Sequence, residues 1–236
     1  MIESLRESLE YIPPGILKKI LSGCLWEGTP ESEGLALTFD DGPDPEVTPV
    51  VLDALEESGG KGTFFMVGER VKQHPHLAAE VRARGHAVGS HAHTHCRMVL
   101  MRKKDIVREI MEASEAIGDA TGEEPSWFRP PYGVFNVACA REVRRRGMSM
   151  VLWTVSSGDY GDRSAERILG RVRPFIRPGA IHVFHDTVNG GGKALEDIVR
   201  AVGSAAAESG LRLGRINDLT FSKSMRVRRT HASERS

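Results

Sequence analysis

The chain has 236 residues, 40% of them hydrophobic, with Lys+Arg and Asp+Glu balanced at 32 each and a pI near 7.1. That length and apolar content fit one large domain with a sizeable core, and the balanced charge leaves no net field for nucleic acid or another polyanion. Three widely spaced cysteines, Cys24, Cys96 and Cys139, form no CxxC pattern, so neither a disulfide framework nor a thiolate zinc site is expected and a reducing compartment fits best.

Residues 1–30 read as an N-terminal extension. Glu3, Arg6, Glu7 and Glu10 stand where an export signal needs a basic start and an apolar core, and the stretch from Tyr11 to Trp26 is broken by Pro13, Pro14, Lys18 and Lys19. No export or bilayer-spanning segment is expected, and a cytoplasmic location is the corresponding expectation. Ile16, Leu17, Ile20 and Leu21 recur at helical spacing and predict a short helix that packs on the domain; with Lys18 and Lys19 beside them, weak peripheral contact with the inner membrane face is the competing reading.

Leu35 to Phe39 predicts a buried strand that stops at Asp40, Asp41 and a Gly42-Pro43 turn. Adjacent carboxylates at the end of a buried strand repel each other unless a cation or a shared proton intervenes, so the pair asks for a metal, an arginine or both. Thr48-Pro49 reads as N-cap and first helical position, and Gly59-Gly60 stops that helix. Thr63 to Val67 is a second strand, followed by a helix from about His76 to Arg84 that ends at Gly85. A third strand, His86 to Gly89, leads into His91-Ala92-His93-Thr94-His95, and Ile106, Val107, Ile110, Ala113 and Ile117 give a helical stripe. Ser126 to Phe128 is a short strand before Arg129-Pro130-Pro131-Tyr132-Gly133. A helix from Val137 to Arg146, a strand from Met148 to Val155, a helix opened by Ser164, a strand from Ala180 to Phe184, a helix with Leu195, Ile198, Val199 and Val202 on one side, and a strand from Leu211 to Leu213 complete a principal domain over 31–220. The basic tail at 221–236, with Lys223, Arg226, Arg228, Arg229 and Arg235, is expected to be solvated.

About seven strands alternating with helices imply a parallel α/β sheet with right-handed crossovers, either open and doubly wound or closed into a barrel. In a barrel the loops after the strands converge on one mouth. Here Asp40 and Asp41, His91 and His95, Arg129, Asp159, and His185 follow five different strands, which favours a distorted (β/α) barrel over a single crevice.

His91 and His95 are four residues apart, so on a helical turn they lie on one face and, with Asp41, offer two nitrogens and one oxygen to a divalent ion with coordination positions left open. An HxxxH alone is weak evidence, and His93 falls on another face. Arg129, fixed by two prolines, is placed to hold Asp40 bidentately, although a purely structural ion pair would look the same. His185 with an orienting carboxylate is an acid–base arrangement, with a satisfied core histidine as the alternative.

Taken together, TFDDGPD, the HxxxH, RPPYG, an Asp before an aromatic, and FHD resemble the polysaccharide deacetylase (NodB-homology) family of the carbohydrate esterase family 4 type, over about Leu35 to Asp186. The resemblance implies a distorted (β/α) barrel, one zinc, cobalt or nickel ion, and hydrolysis of an N-acetyl group on an amino-sugar glycan or lipid-linked sugar. It makes Asp40 the general base, Asp41, His91 and His95 the metal ligands, and His185 the general acid. Arg129 would tether Asp40, Asp159 would orient His185, the Tyr132 N–H would hold the oxyanion, and Pro131 and Tyr160 would border the substrate. Two positions depart from the pattern: Ala92 replaces the usual Ser or Thr, and Ser156-Ser157-Gly158-Asp159-Tyr160 lacks the usual leading acid and closing Trp.

A haloacid-dehalogenase phosphatase needs a second Asp two positions after Asp40, where Gly42 stands, and the run Asn189-Gly190-Gly191-Gly192-Lys193-Ala194 lacks the spacing and the Ser/Thr of a P-loop. That run reads as a mobile loop beside His185. The alternative of another class is a non-catalytic glycan- or metal-binding barrel.

Overall fold

The computed structural model describes residues 13, 15–161 and 164–221; apart from Phe221, the expected basic tail lies outside them. Eight strands pair in parallel: β1 (Gly34–Asp40), β2 (Thr63–Met66), β3 (Ala87–Ser90), β4 (Trp127–Phe128), β5 (Ser149–Met150), β6 (Val155–Ser156), β7 (Ile181–His185) and β8 (Arg212–Gly214). The path runs β5-β4-β3-β2-β1-β7-β6, and β8 joins β1. The expected single strand from Met148 to Val155 is thus split. Its first part pairs with β4 and its second with β7, so the two ends of the sheet lie on one continuous stretch of chain and the sheet curls into a distorted (β/α) barrel. The break has a visible cause: the Leu152 carbonyl accepts from the buried Arg129 guanidinium at 3.1 Å, and Val151 and Leu152 pair with Leu25 of the extension.

All seven residues of β1 are buried. Strand alternation puts Leu35, Leu37 and Phe39 into the core under the helices, where Phe39 stacks on Phe64 at 4.9 Å and Phe184 at 6.0 Å. Ala36, Thr38 and Asp40 share the opposite face, toward the barrel interior, so the same period of two that builds the core aims a carboxylate inward. β8 abuts the start of β1 so closely that a Cβ on Gly34 would lie 2.1 Å from the Arg212 carbonyl oxygen; only glycine fits there.

The helices are α1 (Gly15–Ile20), α2 (Thr48–Glu57), α3 (Gly68–Gln73), α4 (Pro75–Ala83), α5 (Lys103–Thr121), α6 (Val137–Arg145), α7 (Ala165–Val172) and α8 (Ala194–Glu208). Ile106, Ile110, Ala113 and Ile117 of the α5 stripe are buried as their spacing predicts, Val107 at its edge is only partly buried, and Gly122 closes that helix in the left-handed region. Asn136 caps α6 and Ser164 caps α7 through their side chains. Thr48 is not the cap of α2: Val47 occupies that position, and the Thr48 hydroxyl serves a buried contact described below. Within the extension, α1 has no buried residue and exposes Ile16 and Ile20, whereas Cys24, Leu25 and Trp26 are buried. No helix among the described residues is long and apolar enough to cross a membrane.

Candidate metal and acid–base site

β1 delivers Asp40 to the carboxyl end of the sheet with 3% of its surface exposed. Its Oδ1 accepts from Arg129 Nη1 at 2.6 Å, and that nitrogen also donates to the Thr38 hydroxyl at 2.7 Å. The expected bidentate fork is therefore not formed; one end of the guanidinium is shared by Thr38 and Asp40 while the other takes the Leu152 carbonyl. Arg129 is fully buried with its guanidinium carbon 4.1 Å from the Phe65 ring centroid, and burial pushes its pKa down against the pull of Asp40. A cation so placed without its carboxylate would be strongly destabilising.

The histidine segment after β3 is an irregular loop, not the helical turn expected from the four-residue spacing. Ala92 and His95 have φ of 63° and 57°, and these two left-handed residues fold the loop so that the rings of His91 and His95 still meet, with centroids 5.1 Å apart. Glu109, on the buried face of α5, accepts from the His93 N–H at 3.0 Å, the Thr94 N–H at 2.8 Å and the Thr94 hydroxyl at 2.9 Å. The sequence carries a signal for this clamp. Glu109 falls in step with Ile106, Ile110 and Ala113 on the core side of the helix, where an acid needs a partner. His93 turns away and lies 3.4 Å from Glu112.

Asp41, His91 and His95 each offer one ligand atom, all within 4.8 Å of one another. The Asp41 Oδ1 lies 3.0 Å from His95 Nε2 and 3.4 Å from His91 Nε2, yet it is buried with no hydrogen-bond partner. His91 Nδ1 is 2.8 Å from the Arg129 carbonyl, which makes that nitrogen the donor and leaves the Nε2 lone pair facing Asp41. Burial alone would raise the Asp41 carboxyl; with protons on the two Nε2 atoms, hydrogen bonds from His91 and His95 hold it well below the usual carboxylate range, and a cation would take the place of those protons. Converging electron pairs from two imidazoles and a carboxylate fit a divalent cation.

After β6, Asp159 is fully buried and binds His185 twice, through Nδ1 at 2.7 Å and through the backbone N–H at 2.8 Å, while the Ser157 hydroxyl donates to it at 2.8 Å. Burial alone would lower the His185 pKa; Asp159, with the charges of Asp41 and Asp40, raises it to about 9. Asp186 faces the other way. It accepts from the Gly42 N–H at 3.2 Å and the Thr48 hydroxyl at 2.6 Å, Thr48 accepts from the Asp44 N–H, and Asp44 accepts from the Val188 N–H at 3.2 Å. These bonds join the loop carrying Asp41 to the loop after His185, and a Cβ on Gly42 would sit 2.3 Å from the Asp186 carboxylate. The glycine run folds back on that same loop, with the Gly190 and Gly191 N–H groups bonded to Thr187 and His185 carbonyls.

A cavity of about 440 Å³ brings Asp40, Asp41, His91, His95, Tyr132, Tyr160 and His185 to one surface, together with Trp153 and Arg97, which the sequence reading did not single out. Tyr132 has φ of 60°, and its N–H has no acceptor among the described residues; its ring packs 4.7 Å from His95. The Tyr160 ring stands edge-on to His185 at 5.4 Å. Pro131 is buried behind this wall and does not line the cavity.

The polysaccharide deacetylase family model matches residues 27–151, ending before Asp159 and His185. The peptidoglycan-N-acetylglucosamine deacetylase PgdA of Listeria monocytogenes is 38% identical over 152 residues, covering 64% of this chain and 32% of that protein, so the chain spans about a third of the length of the Listeria relative. A crystal structure of the peptidoglycan N-acetylglucosamine deacetylase Bc1960 is similar with a TM-score of 0.81 at 26% identity, over 87% of this chain and 97% of that one. A family 4 carbohydrate esterase pseudoenzyme from Bacillus anthracis is similar with a TM-score of 0.77 at 26% identity, over 85% of this chain and 70% of that one. With more than half of its length matched by the family model, the chain belongs to the polysaccharide deacetylase family.

Proposed function

We propose that this protein is a divalent-metal-dependent hydrolase that removes the N-acetyl group from an amino-sugar-containing glycan. The observation that carries the reading is the convergence, at one cavity, of the Asp41, His91 and His95 ligand atoms with a carboxylate tied to a buried arginine and an imidazole tied to a buried aspartate. The pseudoenzyme shares the fold, so the fold alone does not carry the activity; the complete set of acid, base and ligand residues does.

Asp41, His91 and His95 would hold the ion, with zinc the first choice and cobalt or nickel the alternatives; when bound it would polarise the acetyl carbonyl and make water more acidic. Asp40 takes the proton of the water that attacks the carbonyl carbon, and Arg129 fixes the direction of that carboxylate. The Tyr132 N–H donates to the oxygen on which negative charge develops. His185 gives its proton to the departing sugar nitrogen. Without that proton the tetrahedral adduct would return to reactants, so Asp159, by holding His185 protonated at neutral pH, belongs to the same step.

The test is acetate release from an N-acetylglucosamine oligomer by protein stripped with chelator and reloaded with Zn²⁺, Co²⁺ or Ni²⁺. Activity lost on chelation and restored by metal is expected. Stoichiometric metal binding without acetate release under any of the three would favour the non-catalytic barrel instead.

A further inference from the structure

The charged groups of the cavity are matched in sets, with one exception. Asp40 is bonded to Arg129, Asp41 lies against His91 and His95, and His185 is bonded to Asp159. Arg97 lines the same cavity and is the one arginine or lysine to do so, yet no carboxylate among the described residues lies within ion-pair distance of it. Its guanidinium lies over the Tyr132 ring, 4.6 Å from the centroid, and that ring packs in turn on His95. Stacking occupies the face of the guanidinium and leaves its N–H edge to meet a ligand.

A cation ordered by an aromatic ring, with no counter-charge among the described residues, is a preorganised anion site. Hydrolysis of a neutral acetamide makes no use of it, because base, acid and oxyanion donor come from Asp40, His185 and Tyr132. Two ring contacts separate Arg97 from the His95 ligand position, so it meets a part of the substrate beside the reacting acetamido group. We infer that Arg97 selects amino-sugar substrates that carry an anion next to the acetamido group, either a carboxylate or a phosphate ester. Both accept the bidentate fork that only arginine presents. This inference rests on the deacetylase reading of the same cavity.

The experiment compares kcat/KM of the zinc-loaded protein and of Arg97→Gln on three substrates of equal length. One is a neutral N-acetylglucosamine oligomer, one carries carboxylates through alternating N-acetylmuramic acid, and one carries a phosphate ester. The wild type is expected to prefer one charged arm, which identifies the source of the anion, by about tenfold or more. Arg97→Gln should abolish that preference through KM, and raising the salt should shrink it in the wild type alone. An equal loss on all three substrates, or no preference in the wild type, would overturn the inference while leaving the deacetylase reading intact. Release of acetate from none of them would instead count against the deacetylase reading. Calorimetric binding of the two charged oligomers then decides Arg97 separately: weaker binding to Arg97→Gln than to wild type upholds it, and equal binding or none overturns it.

Discussion

Asp40 and His185 face one cavity with opposite partners, a buried guanidinium for the carboxylate and a buried carboxylate for the imidazole. If they act as base and acid, Asp40→Asn and His185→Ala should each lower turnover about a hundredfold or more with metal still bound, which is the usual contribution of such groups. A near-normal rate in either variant would remove that residue from the mechanism. The pH dependence has a definite sign. His185 is raised to about 9, so its acid form persists through neutrality and the activity falls on the alkaline side. A cation bound at Asp41 offsets one of the charges that raise His185 and brings that limb toward neutrality. Asp159→Asn removes the larger contribution, so the alkaline limb of kcat/KM should move to lower pH by about a unit or more while metal affinity stays the same. A limb that does not move would mean that another group sets it.

At the scale of elements, two buried carboxylates hold the loops that carry the proposed ligands: Glu109 grips the His91–His95 loop and Asp186, through Gly42 and Thr48, grips the Asp41 loop. Glu109→Ala leaves the His93 and Thr94 N–H groups without their acceptor next to two left-handed residues. Zinc affinity should fall about 10–100-fold although no ligand is changed, and Glu109→Gln should recover part of it. Titration with a competing chelator measures this, and wild-type affinity in Glu109→Ala would show that the loop holds its shape unaided. The Asp186 clamp has no trace in local pattern, and the local pattern marks Glu109 only as a buried acid in need of a partner without naming that partner, which explains what the sequence made legible. The buried strand from Leu35, four of the five positions of the α5 stripe and most of the order of strands and helices are short-range features and emerge as expected, whereas the short helix α3 was not signalled by any apolar period. The exchange of partners within 149–156, the use of Thr48 by Asp186 rather than by its own helix, and the stacking of Arg97 on Tyr132 are set by residues distant in sequence. The histidine spacing is instructive: it suggested a helical turn, and a strained loop achieves the same meeting of rings because Ala92 and His95 take positive φ.

Closing the sheet into a barrel buries polar side chains as well as apolar ones, and two histidines outside the site give the whole molecule a pH signature. His86 accepts the Gly62 N–H on Nδ1 at 3.0 Å, and His182 has Nε2 2.9 Å from the Phe175 carbonyl; the second ring nitrogen of each has no partner. Burial, reinforced by Lys61, Arg84 and Arg215 around His86 and by Arg177 near His182, lowers both pKa values to about 4. In the unfolded chain they take up protons near pH 6.5, so the unfolded state binds more protons than the native one between those values. Their contribution is complete above about pH 6.5 and is lost as the pH falls toward 4, by an amount on the order of 3 kcal/mol for each ring, a substantial part of a typical domain's stability. His185 works in the opposite direction at the other end: its contribution is complete below about pH 6.5 and is lost as the pH rises through about 9. Urea unfolding at pH 7.0 and pH 4.5 separates these effects, using a double variant, His86→Asn with His182→Gln, whose amides keep the acceptor and the donor in place. The variant is expected to be less stable than wild type at pH 7, because its amides fill the space less well, but to lose clearly less stability on acidification. An equal loss in both proteins would place the acid sensitivity of the fold in its carboxylates and not in these two rings.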